Sequence, residues 1–173
     1  MPVIIVEGAD CSGKDSLIKE LKRITGYSVV RGSSFELSKG GSELMRDIML
    51  ESLEEDNIIL NRSYLSNIVY APLFNYPLIQ KNHAMEVTHA INETGEKTVL
   101  VYLYADSEIL MKRMDSRGDE DVSPRDLQGI LDKYSETISS DFLPSNFLRY
   151  DTGKQDSEEI AKDILNHIYK PSY

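Results

Sequence analysis

Cysteine occurs once in this sequence, basic residues are few, and no long apolar run is present. A lone Cys11 excludes an internal disulfide framework, and a reducing cytoplasm is the expected setting. No stretch approaches the ~18 apolar residues that span a bilayer and no signal-like pattern opens the chain, so no membrane partner is expected. Lysine and arginine number 19 against 29 acidic residues. The resulting net charge of −10 argues against a general nucleic-acid binder, because counterion release needs basic surface. Any basic site must therefore be local. Repeats and low-complexity linkers are also missing. The 173 residues, 40% hydrophobic, suit one buried core, and a single domain over 1–173 is expected.

What the chain does have is an alternation of apolar runs and amphipathic segments. "VIIVE" (3–7), "YSVV" (27–30), "NIIL" (57–60), "TVLVYLY" (98–104) and "NFLRY" (146–150) are short and rich in β-branched or aromatic residues, as strands are. Helical spacing appears over 15–24, 42–55, a segment within 63–93, 107–116, 124–138 and 157–169. Five near-continuous apolar strands separated by helices predict a parallel sheet covered on both faces, hence a three-layer α/β domain. Its ligand belongs at the carboxyl ends of the strands.

The most informative stretch is "EGADCSGKDSL", 7–17, in which four residues separate Gly8 from Gly13-Lys14. An apolar strand precedes it and an amphipathic helix follows, the context a phosphate-cradling loop requires. Glycines let successive N–H groups and the helix N-terminus face one anion, and Lys14 adds charge for the outer phosphates. Asp15 stands where a magnesium-binding hydroxyl usually follows the lysine. It either holds that ion, directly or through water, or only favours the first helical turn through the dipole. Ser16 is the alternative hydroxyl ligand.

"VEGADCSGKDSL" resembles the opening of the thymidylate kinase family of P-loop nucleoside monophosphate kinases, and further matches follow in the family's order. "NRSYLSNIVY" (61–70) is similar to the segment in which Arg62, Ser66 and Tyr70 match the family's arginine, serine and tyrosine. "VYLYADSEILMKRMDSRG" (101–118) is similar to the strand, acidic turn and helix leading to an arginine-bearing lid, here about 115–127. "RYDTGKQDSEEI" (149–160) resembles the last strand, the turn bordering the donor's adenine, with Gly153 and Lys154, and the terminal helix, capped by Asp156 or Ser157. The resemblance implies a sheet of order 2-3-1-4-5, ATP and Mg²⁺ as cofactors, and a homodimer. It also implies that Gly8, Asp10, Cys11, Ser12, Gly13, Lys14, Asp15 and Ser16 surround the donor's phosphates, Asp10 also meeting the acceptor's deoxyribose. Lys14, Arg62, Arg113 and Arg117 are the expected catalytic residues. The last two are four apart and share a helix face. A guanidinium such as Arg62 at a strand's end can bridge phosphate oxygens bidentately.

Departures from the family concern the base. Asn61 replaces an aspartate, Ala71 stands where a base-reading glutamine belongs, and no room exists between 42–55 and 57–60 for the helix carrying a stacking phenylalanine. Phe35, Tyr64, Tyr70 and Phe74 are candidates for a rebuilt pocket, with Asn67 able to read an amide-bearing edge. Arg31, ending the second strand, is the preferred phosphate contact over Arg46. Asp119, Glu120 and Asp121 in the lid are unusual neighbours for phosphates, Arg125 can join the lid, and His83, His89 and His167 lack metal-ligand spacing. The expected activity is transfer of the ATP γ-phosphoryl to a pyrimidine deoxynucleoside monophosphate, dTMP or a 5-modified dUMP. A deoxynucleoside kinase and a non-catalytic nucleotide-binding regulator are the alternatives.

Overall fold

In the computed structural model, residues 2–118 and 122–170 are described; Asp119, Glu120 and Asp121 lie outside them. The chain runs β1 (Val3–Gly8), α1 (Lys14–Thr25), β2 (Ser28–Arg31), α2 (Phe35–Ser38), α3 (Gly41–Glu54), β3 (Ile58–Asn61), α4 (Tyr64–Phe74), α5 (Lys81–Glu93), β4 (Thr98–Tyr104), α6 (Ser107–Arg117), α7 (Pro124–Ile138), β5 (Phe147–Asp151) and α8 (Ser157–Ile168). The five strands form one sheet in the order β2-β3-β1-β4-β5, as expected. Every pairing is parallel, with Val3 of β1 opposite Ile58 of β3 and Thr98 of β4.

Strand periodicity divides the core in two. Val3 and Ile5 of β1 pack with Met45, Met49, Leu65, Val87 and Ile91 of the helices on one face. Ile4 and Val6 pack with Leu17 and Leu21 of α1 and Ile160 and Ile164 of α8 on the other. A third cluster, with Tyr102, Leu110, Ile130 and Tyr134, lies under α6 and α7. β2 is the exception to burial, since all four of its residues are exposed on the sheet's edge.

The segment within 63–93 divides into α4 and α5, with Asn75 in the left-handed conformation closing α4. The short α2 carries no periodic signal and was not expected. Asp156, not Ser157, caps α8, in a reciprocal box with Glu159. Among the described residues, no helix is long and apolar enough to cross a membrane.

Candidate active site

At the carboxyl end of β1 the chain curls through Gly8 and Gly13, with Cys11 also at positive φ (61°). A Cβ on Gly8 would sit 2.5 Å from Ser12 Oγ and 2.7 Å from the Leu103 carbonyl, so the loop closes only around glycine. Gly13 begins α1 without a side-chain cap. The N–H groups of the first helical turn thus have no intrahelical acceptor, as an anion cradle requires. Among the described residues, Ser12 Oγ is buried without a hydrogen-bond partner. An orphaned hydroxyl, uncapped N–H groups and a buried ammonium on one loop together fit a nucleotide's phosphates.

The loop is a wall between two clefts of about 300 Å³ each. On one side stand Cys11, Gly13, Ser16, Arg113, Arg117, Thr152, Gln155, Asp156 and Ser157. Arg113 is held there by donating from Nη1 to the Cys11 carbonyl (3.1 Å) and Thr152 Oγ1 (3.0 Å), and from Nη2 to the Thr152 carbonyl (2.8 Å). Gly153 and Lys154, expected to border the donor, are exposed and do not line this cleft; Thr152 and Gln155 do. The reason is the turn's own bonding: Gly153 N–H donates to Asp151 Oδ1 and Lys154 Nζ reaches Asp151, which directs both outward. Ser16 faces the cleft, whereas Asp15 is exposed and outside its lining. Among the described residues, no cluster of three or more His, Cys, Asp or Glu could hold a metal unaided. Oxygen donors are what magnesium takes, so Ser16, with Asp15 nearby, fits an ion held mainly by phosphate and water.

The second cleft is lined by Asp10, Arg31, Ser33, Ser34, Phe35, Asn61, Arg62, Ser66, Asn67, Tyr70 and Tyr76. Tyr70 donates to Asp10 Oδ2 at 2.6 Å, and Arg62 lies 3.6 Å from Asp10 Oδ1 and stacks on the Tyr70 ring at 4.7 Å. Phe35 meets Tyr76 edge-on at the mouth, and Phe74 stacks behind Tyr70. Two expected readers are placed differently. Tyr64 is only 2% exposed, packed in the core with its hydroxyl donating to the Phe142 carbonyl. Asn67 reaches the cleft, yet its amide nitrogen donates to the Pro77 carbonyl and its oxygen accepts from Ile79 N–H. Its hydrogen-bonding groups hold the 77–79 turn. Arg46 pairs with Glu43 and Asp47 of its own helix and with Glu86 of α5, and lines neither cleft.

Glu7 and Tyr134 were missed by reading residues in sequence. Glu7 is fully buried, and its Oε1 accepts from Ser63 N–H (2.7 Å), Ser63 Oγ (2.5 Å) and Ser66 N–H (3.1 Å). A carboxylate at the end of an apolar strand was the available signal, since a buried charge must be satisfied.

Lys14 is 8% exposed, and its pKa is pushed down to about 8 by burial and then by the neighbouring Arg62 guanidinium. A phosphate in the loop restores the ammonium. Nucleotide triphosphate affinity is therefore expected to be flat below pH 8 and to fall as pH rises above it. Binding near pH 8 takes up a proton, measurable by calorimetry in buffers of different ionisation enthalpy. Binding without proton uptake there contradicts this assignment.

No protein-family model matches the chain. It is 37% identical, over 95% of its length and 98% of the relative's, to the SPbeta prophage-derived protein YorR of Bacillus subtilis (strain 168). A crystal structure of YorR in complex with phosphorylated GDP matches with a TM-score of 0.84 at 36% identity, covering 94% of this chain and 93% of that one. Deoxyadenosine kinase from M. mycoides with bound dCTP matches with a TM-score of 0.60 at 19% identity, over 95% of this chain and 98% of the other. A gluconokinase from Sinorhizobium meliloti 1021 gives 0.63 at 16%, over 96% and 91%. These likenesses establish the P-loop kinase fold.

Proposed function

The chain belongs to the family of Bacillus subtilis YorR, and on that premise we propose that it is an ATP-dependent kinase of deoxynucleoside monophosphates, in one domain over 1–173 and working as a homodimer. The observation that carries this reading is the second cleft, which, among the described residues, faces the phosphate loop with two guanidiniums, Arg31 and Arg62, and a single carboxylate. That carboxylate, Asp10, is engaged by Tyr70 and Arg62. A nucleoside acceptor needs a base to take its hydroxyl proton. A monophosphate is already ionised near neutral pH and needs positive charge instead.

In this reading the donor's phosphates rest on the loop N–H groups and Lys14, with Arg113 and Arg117 beside them. Ser16 or Asp15, with the phosphates, would hold magnesium, which would neutralise phosphate charge. An acceptor phosphate oxygen attacks the γ-phosphorus as the bond to ADP breaks, and no protein nucleophile forms. Catalysis is alignment plus electrostatic stabilisation of the equatorial oxygens. Arg62 and Arg31 orient the acceptor phosphate, and Asp10 with Tyr70 meets its sugar. The motif resemblance to thymidylate kinases favours a pyrimidine, dTMP or a 5-modified dUMP, with Phe35 and Tyr76 offering aromatic faces. The phosphorylated GDP of YorR favours a guanine nucleotide as the second reading.

The test is ADP release with Mg²⁺-ATP over all common nucleoside and deoxynucleoside monophosphates, 5-substituted dUMP and the parent nucleosides. Turnover of a deoxynucleoside monophosphate is expected. Activity on nucleosides alone makes the protein a deoxynucleoside kinase, and ATP binding without ADP from any acceptor makes it a regulator.

A further inference from the structure

Tyr134 lines neither cleft. It sits on α7, 1% exposed, 72 positions from Arg62 in the chain. Its hydroxyl lies 3.1 Å from Glu7 Oε2 and 3.2 Å from the Gly8 carbonyl, with one proton to donate. The Arg62 Nη1 group donates to it over a long 3.5 Å. Ser66 Oγ shares Glu7 and Arg62 with it, donating to Glu7 Oε2 at 2.5 Å and accepting from Arg62 Nη1 at 3.1 Å, and lies 3.1 Å from the Tyr134 hydroxyl itself.

We propose that Tyr134 and Glu7 are positioning residues that hold the Arg62 guanidinium in the acceptor cleft. The proposal rests on the kinase reading for what Arg62 does there. An ionised carboxylate only accepts. Glu7 therefore takes the Ser66 proton, Tyr134 gives its one proton to Glu7 or to the Gly8 carbonyl, and, since a guanidinium only donates, both oxygens turn lone pairs toward Arg62. A buried acid and a loop carbonyl thus take the protons of two hydroxyls, and the hydroxyls' lone pairs fix the direction of a cation. The need for such support is visible in the backbone, because Arg62 has φ +71°, a conformation costly for a non-glycine residue and kept only where surroundings over-determine it. The Gly8 carbonyl, which accepts from Arg62 Nη1 at 3.2 Å, belongs to the phosphate loop. The same lattice consequently fixes the acceptor-side cation relative to the donor's cradle.

The test is Tyr134→Phe in the full chain, with Arg62→Ala and the double variant. Loss of an acceptor for a charged donor predicts a roughly tenfold fall in kcat/KM for the monophosphate, with the KM for ATP changed less than about twofold. The substitution adds no further loss on Arg62→Ala. A role in packing alone lowers thermal stability and weakens both substrates alike, and additive losses in the double variant likewise overturn the proposal. A readout independent of turnover is ¹⁵N relaxation of the Arg62 Nε–H group. It is expected to be rigid in the wild type and mobile in Tyr134→Phe and Glu7→Gln; unchanged rigidity in both refutes the proposal. A wild type that phosphorylates no monophosphate defeats the kinase reading and leaves this measurement decisive.

Discussion

Replacing Lys14 by methionine is expected to raise the thermal stability of the ligand-free protein while removing nearly all phosphoryl transfer. The ammonium is buried and Arg62 repels it, which outweighs the attraction of Asp10, Asp15 and Glu7 and brings its pKa down to about 8. A lysine whose folded pKa lies below its unfolded value destabilises the fold fully at pH values below 8, and the cost fades as pH rises toward the unfolded value. At pH 7 that cost is roughly 3 kcal/mol. Methionine keeps the stem's volume without the charge. The variant should melt on the order of 5 °C higher at pH 7, with a difference that shrinks above pH 8. Its turnover should fall by roughly 10²–10³ or more, as for removal of a preorganised electrostatic group. Both effects on one substitution mark a residue that costs stability for the sake of a ligand. A destabilised or active Lys14→Met variant contradicts the site.

The same balance explains which features could be read from residues alone. β1 and β4 were legible because strands covered on both faces must be apolar throughout, and "VIIVE" and "TVLVYLY" have no other use for such density. The phosphate loop was legible because its glycines are forced by local geometry. The clefts' second layer was not. Glu7 looks like the end of a strand and Tyr134 like one more apolar position of α7, since their meaning depends on a contact across 127 positions. Tyr64, and the amide of Asn67, depart from the expectation in the opposite sense. Both stand at the start of α4, but the helix turns Tyr64 into the core, and Asn67, though it lines the cleft, gives its amide to the 77–79 turn. Arg62, just before α4, and Tyr70, midway along it, face the cleft. Sequence spacing placed a helix somewhere within 63–93, while packing against α7 and β1 and the bonds to the 77–79 turn decided the rotation of α4.

Arg62 allows function and fold to be separated at a single position. Arg62→Ala removes the guanidinium but leaves a Cβ on a left-handed backbone, where Glu7 and Tyr134 no longer have a cation beside them. Arg62→Gly removes the same charge and relieves the backbone. If the guanidinium serves the acceptor phosphate, both variants lose kcat/KM for the monophosphate by about 10³ or more, equally within a few-fold. Their stabilities should differ, with the glycine variant about 1 kcal/mol the more stable of the two, because only glycine adopts φ near +71° without steric cost. Chemical denaturation and initial rates on the two proteins measure both quantities. Should the glycine variant recover activity along with stability, Arg62 is a structural residue whose charge the reaction does not use. Should the alanine variant prove as stable as the glycine one, the backbone at the end of β3 is unstrained, and the hydroxyl lattice around Arg62 exists for the side chain alone.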